Sequence, residues 1–284
     1  MPESPEVQAL VEDLGTRLTG REIIGVDVVE FRVVKTRSRP PTSLRGQRLR
    51  GAERHGKHVD LLIDDGQHLV VSLGRHGWAR YGTAEAEASG AVGAAPPTLL
   101  ALTFDDGSVV EFTDAGDWVS LGSWVVDESS DVPAVAKLGP DPAAPEFTRA
   151  DFDRVVIGRR KQVKAVLQEQ ESLAGIGNAY SDEILHVAKL SPVAHAASLS
   201  PAELDRLFDA TVGTITGAIE RQRATPIDQL KAAKVASMRV HGRAGGACPV
   251  CGDEVRDFSF ASTTAQYCPT CQAGGARLPL RGVE

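Results

Sequence analysis

The sequence predicts an α+β protein in several parts: an N-terminal helix and β-sandwich, then a helical domain, then a small hairpin bearing four cysteines. Three observations carry this prediction. Apolar residues recur at helical spacing near the start, β-branched runs broken by turn residues fill roughly 23–126, and helical periodicity returns from Arg149. A chain of 284 residues is long enough for two cores and an appendage.

From Ser4 to Thr19 the pattern reads as a helix, with Ser4 as N-cap, Pro5 in the first turn, and Val7, Leu10, Val11, Leu14 and Leu18 on one stripe. Strands are expected at Ile23 to Val34, His58 to Ile63, His68 to Leu73, Leu100 to Phe104 and Val109 to Phe112. Hairpin turns are expected at Asp64-Asp65-Gly66 and Asp105-Asp106-Gly107. The Ala/Gly/Pro-rich stretch Thr83 to Pro97 has little to bury and reads as a mobile loop. A Pro-rich stretch from Val132 to Pro145 reads as a linker. Helices follow at Arg149 to Ile157, Val163 to Leu173, Asn178 to Ala188 and Pro201 to Gln222. The expected parts are 1–130, a linker at 131–147, 148–235, and 236–284.

Hydrophobic residues make up 42% and charged residues 24%, as in folded soluble proteins. No run of apolar residues is long enough to span a bilayer, and Glu3, Glu6 and Glu12 stand where a signal peptide is basic and then apolar, so the expectation is a cytosolic protein. A net charge of −7 excludes a uniformly basic surface. Contact with nucleic acid must come from local stripes, such as Arg45 to Lys57 or Arg159 to Lys164.

Three motifs carry chemistry. Cys248-Pro-Val-Cys251 and Cys268-Pro-Thr-Cys271, separated by 16 residues, can place four thiolates around one structural zinc ion, leaving no open position for catalysis. The hairpin between them is too small to fold without metal. In Leu173-Ala-Gly-Ile-Gly-Asn-Ala-Tyr180, Gly175 and Gly177 permit close backbone approach and Asn178 is placed to cap the next helix, a start that suits phosphate. At the N-terminus, a small second residue favours removal of Met1. Pro2 then becomes a secondary amine beside Glu3 and Glu6, and such an amine, with a reference pKa of about 7.7–8.0, is partly nucleophilic at neutral pH.

These motifs together resemble the formamidopyrimidine-DNA glycosylase and endonuclease VIII family, in particular an actinobacterial branch. The resemblance rests on Met1-Pro-Glu-x-Pro-Glu-Val7, Lys57 in Arg54-His-Gly-Lys-His58, the segment Gln170 to Pro192, and His241-Gly-Arg-x-Gly leading into the cysteines. It implies a helix–two-turn–helix domain and a zinc finger that grip duplex DNA holding a damaged base or abasic site. It also implies a monomer acting at the nucleoid as a bifunctional base-excision enzyme. In that picture the damaged base is flipped out of the stack and Pro2 attacks C1′ of the sugar. The resulting iminium drives strand elimination. Glu3 protonates the opening ring oxygen and Glu6 positions protons near the amine. Lys57, Lys164, Gly177, Asn178 and Arg243 serve the DNA backbone, and Arg75 and Trp118 the gap left by the base.

The resemblance breaks where lesions are read. Ser72-Leu-Gly-Arg-His-Gly77 carries Arg75 where the family often has methionine. Asp114-Ala-Gly-Asp-Trp-Val119 carries Asp117 where an arginine is usual, and Thr263 replaces the finger arginine. Ala224 to Val240 is too short for the loop that caps 8-oxoguanine. Abasic sites, oxidised pyrimidines and ring-opened purines are therefore the expected substrates, and a paralogue that binds damaged DNA but catalyses little is the alternative.

Overall fold

A computed structural model of the chain describes residues 1–83, 96–260 and 263–278; most of the stretch read as a mobile loop, residues 84–95, lies outside them. The fold divides into two compact units. One comprises Met1–Lys137 with Gln222–Lys231, and the other Leu138–Arg221 with the chain from Ala232 onward.

The first unit begins with α1, Ser4–Leu18. Its N-cap is Glu3, not Ser4: Glu3 is extended, and Glu6 Oε2 reaches back to accept the Glu3 N–H at 2.9 Å in a capping box. The predicted stripe is buried against strands β2 (Leu49–His55) and β3 (His58–Ile63). Each such leucine contributes about 1.5–3 kcal/mol by leaving water.

The other strands are β1 (Ile23–Val28), β4 (His68–Ser72), β5 (Gly77–Thr83), β6 (Thr98–Phe104), β7 (Ser108–Asp114) and β8 (Gly122–Val126). They form two antiparallel four-stranded sheets, in the orders β1-β6-β7-β5 and β2-β3-β4-β8. Their apolar faces and α1 share one core, which includes Leu10, Leu14, Leu61, Leu69, Leu100, Phe104 and Phe112.

The first strand stops short of the predicted Val34. The Glu30 carboxylate captures the Arg32 N–H at 2.9 Å and turns Phe31–Val33 into a 3₁₀ turn. Both predicted Asp-Asp-Gly turns are present: Asp65 and Gly66 take φ of 61° and 72°, and Gly107 takes 81°.

In the second unit, a short helix, α3 (Arg149–Val156), is capped by Thr148 and Asp151; it follows α2, Pro133–Ala136, which lies in the first unit. Next come α4 (Val163–Gln168), α5 (Asn178–Ala188), α6 (Pro201–Gln222) and α7 (Leu230–Ser237), the last two shared at their ends with the first unit. The predicted helix to Leu173 ends five residues early. Glu169 pairs with Arg159 and with Lys161 at 2.6 Å and accepts the Ser172 hydroxyl, which draws the backbone out of the helix. Those partners hold the Glu169 carboxyl down to about 2.

After α7 come a hairpin of β9 (Arg256–Phe260) and β10 (Thr263–Tyr267) and then α8, Pro269–Ala273. Phe258 and Tyr267 meet edge to face at 5.5 Å and pack with Ala165 and Val193.

Candidate active site and metal centre

Pro2, Glu3, Ser4 and Glu6 are all buried at the start of α1. Besides the Glu3 N–H, the Glu6 carboxylate accepts the side-chain amide of Gln222 at 2.9 Å, so a residue 216 positions downstream fixes it from its other oxygen. Arg54 bridges the helix start to the β2–β3 turn, donating to Gln8 Oε1 at 2.9 Å, Ser4 Oγ at 3.2 Å and Gly56 O at 3.4 Å. That turn is a two-residue loop in which Gly56 takes φ 57° and Lys57 follows. The Lys57 ammonium consequently lies 3.9 Å from the Met1 sulfur, beside the N-terminus. Pro2, Glu3, Glu6 and Lys57 are thus gathered in one place. Arg54, which the sequence shows only within a basic run and a family motif, and Gln222 hold them there. Arg54 stands two residues from the turn glycine, a hint that was readable, whereas Gln222 gave no local signal.

Arg75 and Trp118 lie on neighbouring loops of the same unit. The buried Asp114 carboxylate accepts the N–H groups of Gly116, Ser120 and Leu121 at 2.9, 2.8 and 3.2 Å and the Ser120 hydroxyl at 2.9 Å. Burial pushes its pKa up, but these bonds outweigh it and hold it below the ordinary aspartate value. Ser120 Oγ in turn accepts the Arg75 N–H at 3.0 Å, which joins the two loops. At position 74, where φ is 56°, a side chain would collide with the Ser120 backbone, so glycine is required for this approach. On this frame Trp118 is 82% exposed, and Asp117 and Arg75 are exposed beside it. An aromatic ring held so far out of the core is available for stacking.

The turn before α5 is stapled by Gln170, whose Oε1 accepts the Gly175 N–H at 2.9 Å and whose Nε2 donates to Ile176 O at 2.7 Å; Gly175 takes φ 84°. The N-cap is Gly177, not the side chain of Asn178. The Asn178 amide donates instead to Thr264 O at 3.0 Å and ties the helix start to β10. Lys164 corrects a stronger expectation. Its side chain is 0% exposed and its ammonium sits 2.6 Å from Asp182, 2.7 Å from Ser181 Oγ and 3.2 Å from Asn178 O. It is an internal strut and does not reach a DNA phosphate. Asp182 also accepts from His241 Nδ1 at 2.7 Å and from the Gln266 N–H at 3.2 Å. Arg243 is exposed, with its guanidinium donating to the carbonyls of Val235 and Ala236.

The four cysteine sulfurs all lie within 4.8 Å of one another and can hold a metal ion. The pairs Cys251–Cys268 and Cys248–Cys271 are 3.4 and 3.9 Å apart, close to the edge of about 3.8 Å that a tetrahedron with metal–sulfur bonds of about 2.3 Å has. Burial pushes the Cys268 thiol up to about 11 and raises Cys271 further, so a bound cation is what turns these sulfurs into thiolates near neutral pH. The Glu183 carboxylate, one turn into α5, accepts the N–H groups of Arg239, Val240 and His241 at 2.8–2.9 Å and anchors the chain as it enters this centre.

Residues 1–118 match the family model described as the formamidopyrimidine-DNA glycosylase N-terminal domain, and residues 138–229 match that of the formamidopyrimidine-DNA glycosylase H2TH domain. A formamidopyrimidine-DNA glycosylase of Mycolicibacterium gilvum is 33% identical over 96% of this chain and 98% of its own length. A formamidopyrimidine-DNA glycosylase-like protein of Mycobacterium tuberculosis is 47% identical over 52% of this chain and 93% of its own length. Among solved structures, Lactococcus lactis Fpg in complex with DNA containing an abasic site is similar with a TM-score of 0.83. It is 25% identical and covers 95% of this chain and 99% of that one. The same enzyme on DNA containing FAPY-dG gives the same score.

Proposed function

Because this chain belongs to the formamidopyrimidine-DNA glycosylase family, we propose that it is a base-excision DNA glycosylase with abasic-site lyase activity that works through Pro2. The observation that carries the residue assignment is the gathering of Pro2, Glu3, Glu6 and Lys57 in one place by Arg54 and Gln222. Once Met1 is removed, the Pro2 secondary amine attacks C1′ of a flipped nucleotide. Glu3 supplies the proton to the sugar ring oxygen. Glu6, held from both oxygens, keeps the first turn of α1 and its amine in place before substrate arrives. Lys57 takes the phosphate beside the lesion.

Duplex DNA containing a damaged base or an abasic site is the partner, which the DNA bound in the solved relatives supports. Gly177, Asn178 and Arg243 contribute to gripping it, and Arg75 and Trp118 occupy the gap left by the base. Substrates are abasic sites, oxidised pyrimidines and ring-opened purines in preference to 8-oxoguanine, and the protein acts as a monomer at the nucleoid. The metal is one zinc ion, a choice supported by the all-thiolate donor set. It supplies structure only, because Cys248, Cys251, Cys268 and Cys271 fill its coordination shell.

The test is covalent trapping. Protein shown by intact mass to lack Met1 is incubated with an abasic-site duplex and borohydride, and a stable protein–DNA adduct at Pro2 is expected. Absence of adduct refutes the Pro2 assignment. The exposed carboxylate of Asp117 beside Trp118 favours one second reading, a damage binder with little turnover. That reading predicts salt-dependent duplex binding without adduct.

A further inference from the structure

We propose that His186 donates a hydrogen bond to the metal-bound Cys248 thiolate and thereby lowers that sulfur's reactivity toward electrophiles. The inference rests on the zinc reading above and adds a function for a residue outside the four ligands.

His186 lies on α5, 2% exposed, with Nε2 3.2 Å from Cys248 Sγ across 62 positions of sequence. The imidazole is not a fifth ligand: the four sulfurs already form a closed cluster, and the ring stands beside one corner of it. A metal-bound thiolate only accepts, so Nε2 carries the hydrogen. In the neutral ring Nδ1 is then a bare lone pair, and Nδ1 is the ring atom without a partner. The sulfur contact therefore sets the tautomer, and it leaves Nδ1 as an unpaired acceptor. A buried ring nitrogen left unpaired is unfavourable where a phenyl group would pack at no such cost, so the compensating interaction is the one to sulfur.

Four thiolates around a divalent ion leave a net charge of −2 on the centre. A donor aimed at one sulfur draws density from its lone pairs, which makes that sulfur a weaker nucleophile. The same helix holds the entering chain at Arg239–His241 through Glu183, so α5 grips the metal centre at both its approach and its first ligand.

The experiment uses the full-length zinc-loaded protein as wild type, His186→Phe and His186→Gln. Elemental analysis comes first: a wild-type protein holding no zinc overturns the zinc reading itself, separately from this inference. Iodoacetamide is then added with a chromogenic zinc chelator present. In the reaction the sulfur pair displaces iodide, an S–C bond forms and the Zn–S bond breaks. We expect zinc release from His186→Phe about tenfold faster than from wild type, the low end of what a hydrogen-bond partner of a metal ligand contributes. Peptide mapping should find Cys248 modified first, and Gln, which keeps a donor, should restore most of the protection. Equal release rates from wild type and His186→Phe, both with metal bound, overturn the proposal. A variant-free check is ¹⁵N-histidine NMR of the cadmium-113 protein. A His186 Nε2–H coupled to the metal through sulfur is expected, and the Nδ1–H tautomer overturns the proposal.

Discussion

Lys164→Met removes the cation that faces Asp182 and leaves a carboxylate with 0% exposure holding only its bonds from His241 at 2.7 Å and the Gln266 N–H at 3.2 Å. Breaking one side of a buried ion pair costs about 3–5 kcal/mol. The two hydrogen bonds that Asp182 keeps argue for the lower end, about 3 kcal/mol. For a unit of this size that corresponds to a fall in Tm of roughly 6–12 °C. Urea unfolding of the zinc-loaded protein measures the loss directly. Lys164→Met combined with Asp182→Leu should recover part of it, because no unpaired charge then remains. The salt dependence of duplex binding is the second measurement. A lysine that neutralises a phosphate contributes about 0.9 to the slope of log K against log salt, and a buried strut contributes nothing. A Lys164→Met protein that is as stable as wild type but binds DNA with a slope reduced by about 0.9 would refute this account.

Trp118→Ala should leave stability within about 0.5 kcal/mol, since the ring is 82% exposed, yet weaken binding to abasic duplex by about 5- to 150-fold, the range of one lost stacking contact; equal binding in a fluorescence titration would remove Trp118 from the interface. Chelation of the metal should unfold the hairpin around Cys248–Cys271, seen as lost amide protection at Phe258 and Tyr267, and abolish DNA binding with it. The Asp114 carboxyl is held below its unfolded value, so its contribution to the 114–121 loop is complete above about pH 4 and fades as pH falls further. Asp114→Asn should make amide exchange in that loop insensitive to acid, and an unchanged acid response would point to another group.

Much of this protein was readable locally. The α1 stripe, the Asp-Asp-Gly turns and the cysteine spacing each depend on residues close in sequence, where periodicity and turn chemistry act. The recognised motifs also marked the cluster at Pro2, Glu3, Glu6 and Lys57. What was not readable is the set of long-range partners that give those residues their surroundings. Lys164 belongs to a basic run and looked like a surface charge. Only its meeting with Asp182, 18 residues on, and Asp182's meeting with His241, 59 residues further, make it an interior cation. Asn178 looked like a helix cap for the same reason, because the carbonyl of Thr264 that claims its amide lies 86 residues away.

The return of Gln222–Lys231 to the first unit also bears on how such a chain can be inherited. Ile227 and Leu230 fill the sandwich core, and Gln222 holds Glu6. A gene fragment ending near residue 137 would therefore encode a sandwich with a gap in its interior and a slack first turn. Recombination that exchanged the front half for that of another lineage would have to import a matching ten-residue stretch from far downstream. The two units are consequently bound to evolve as a pair, even though each has its own core.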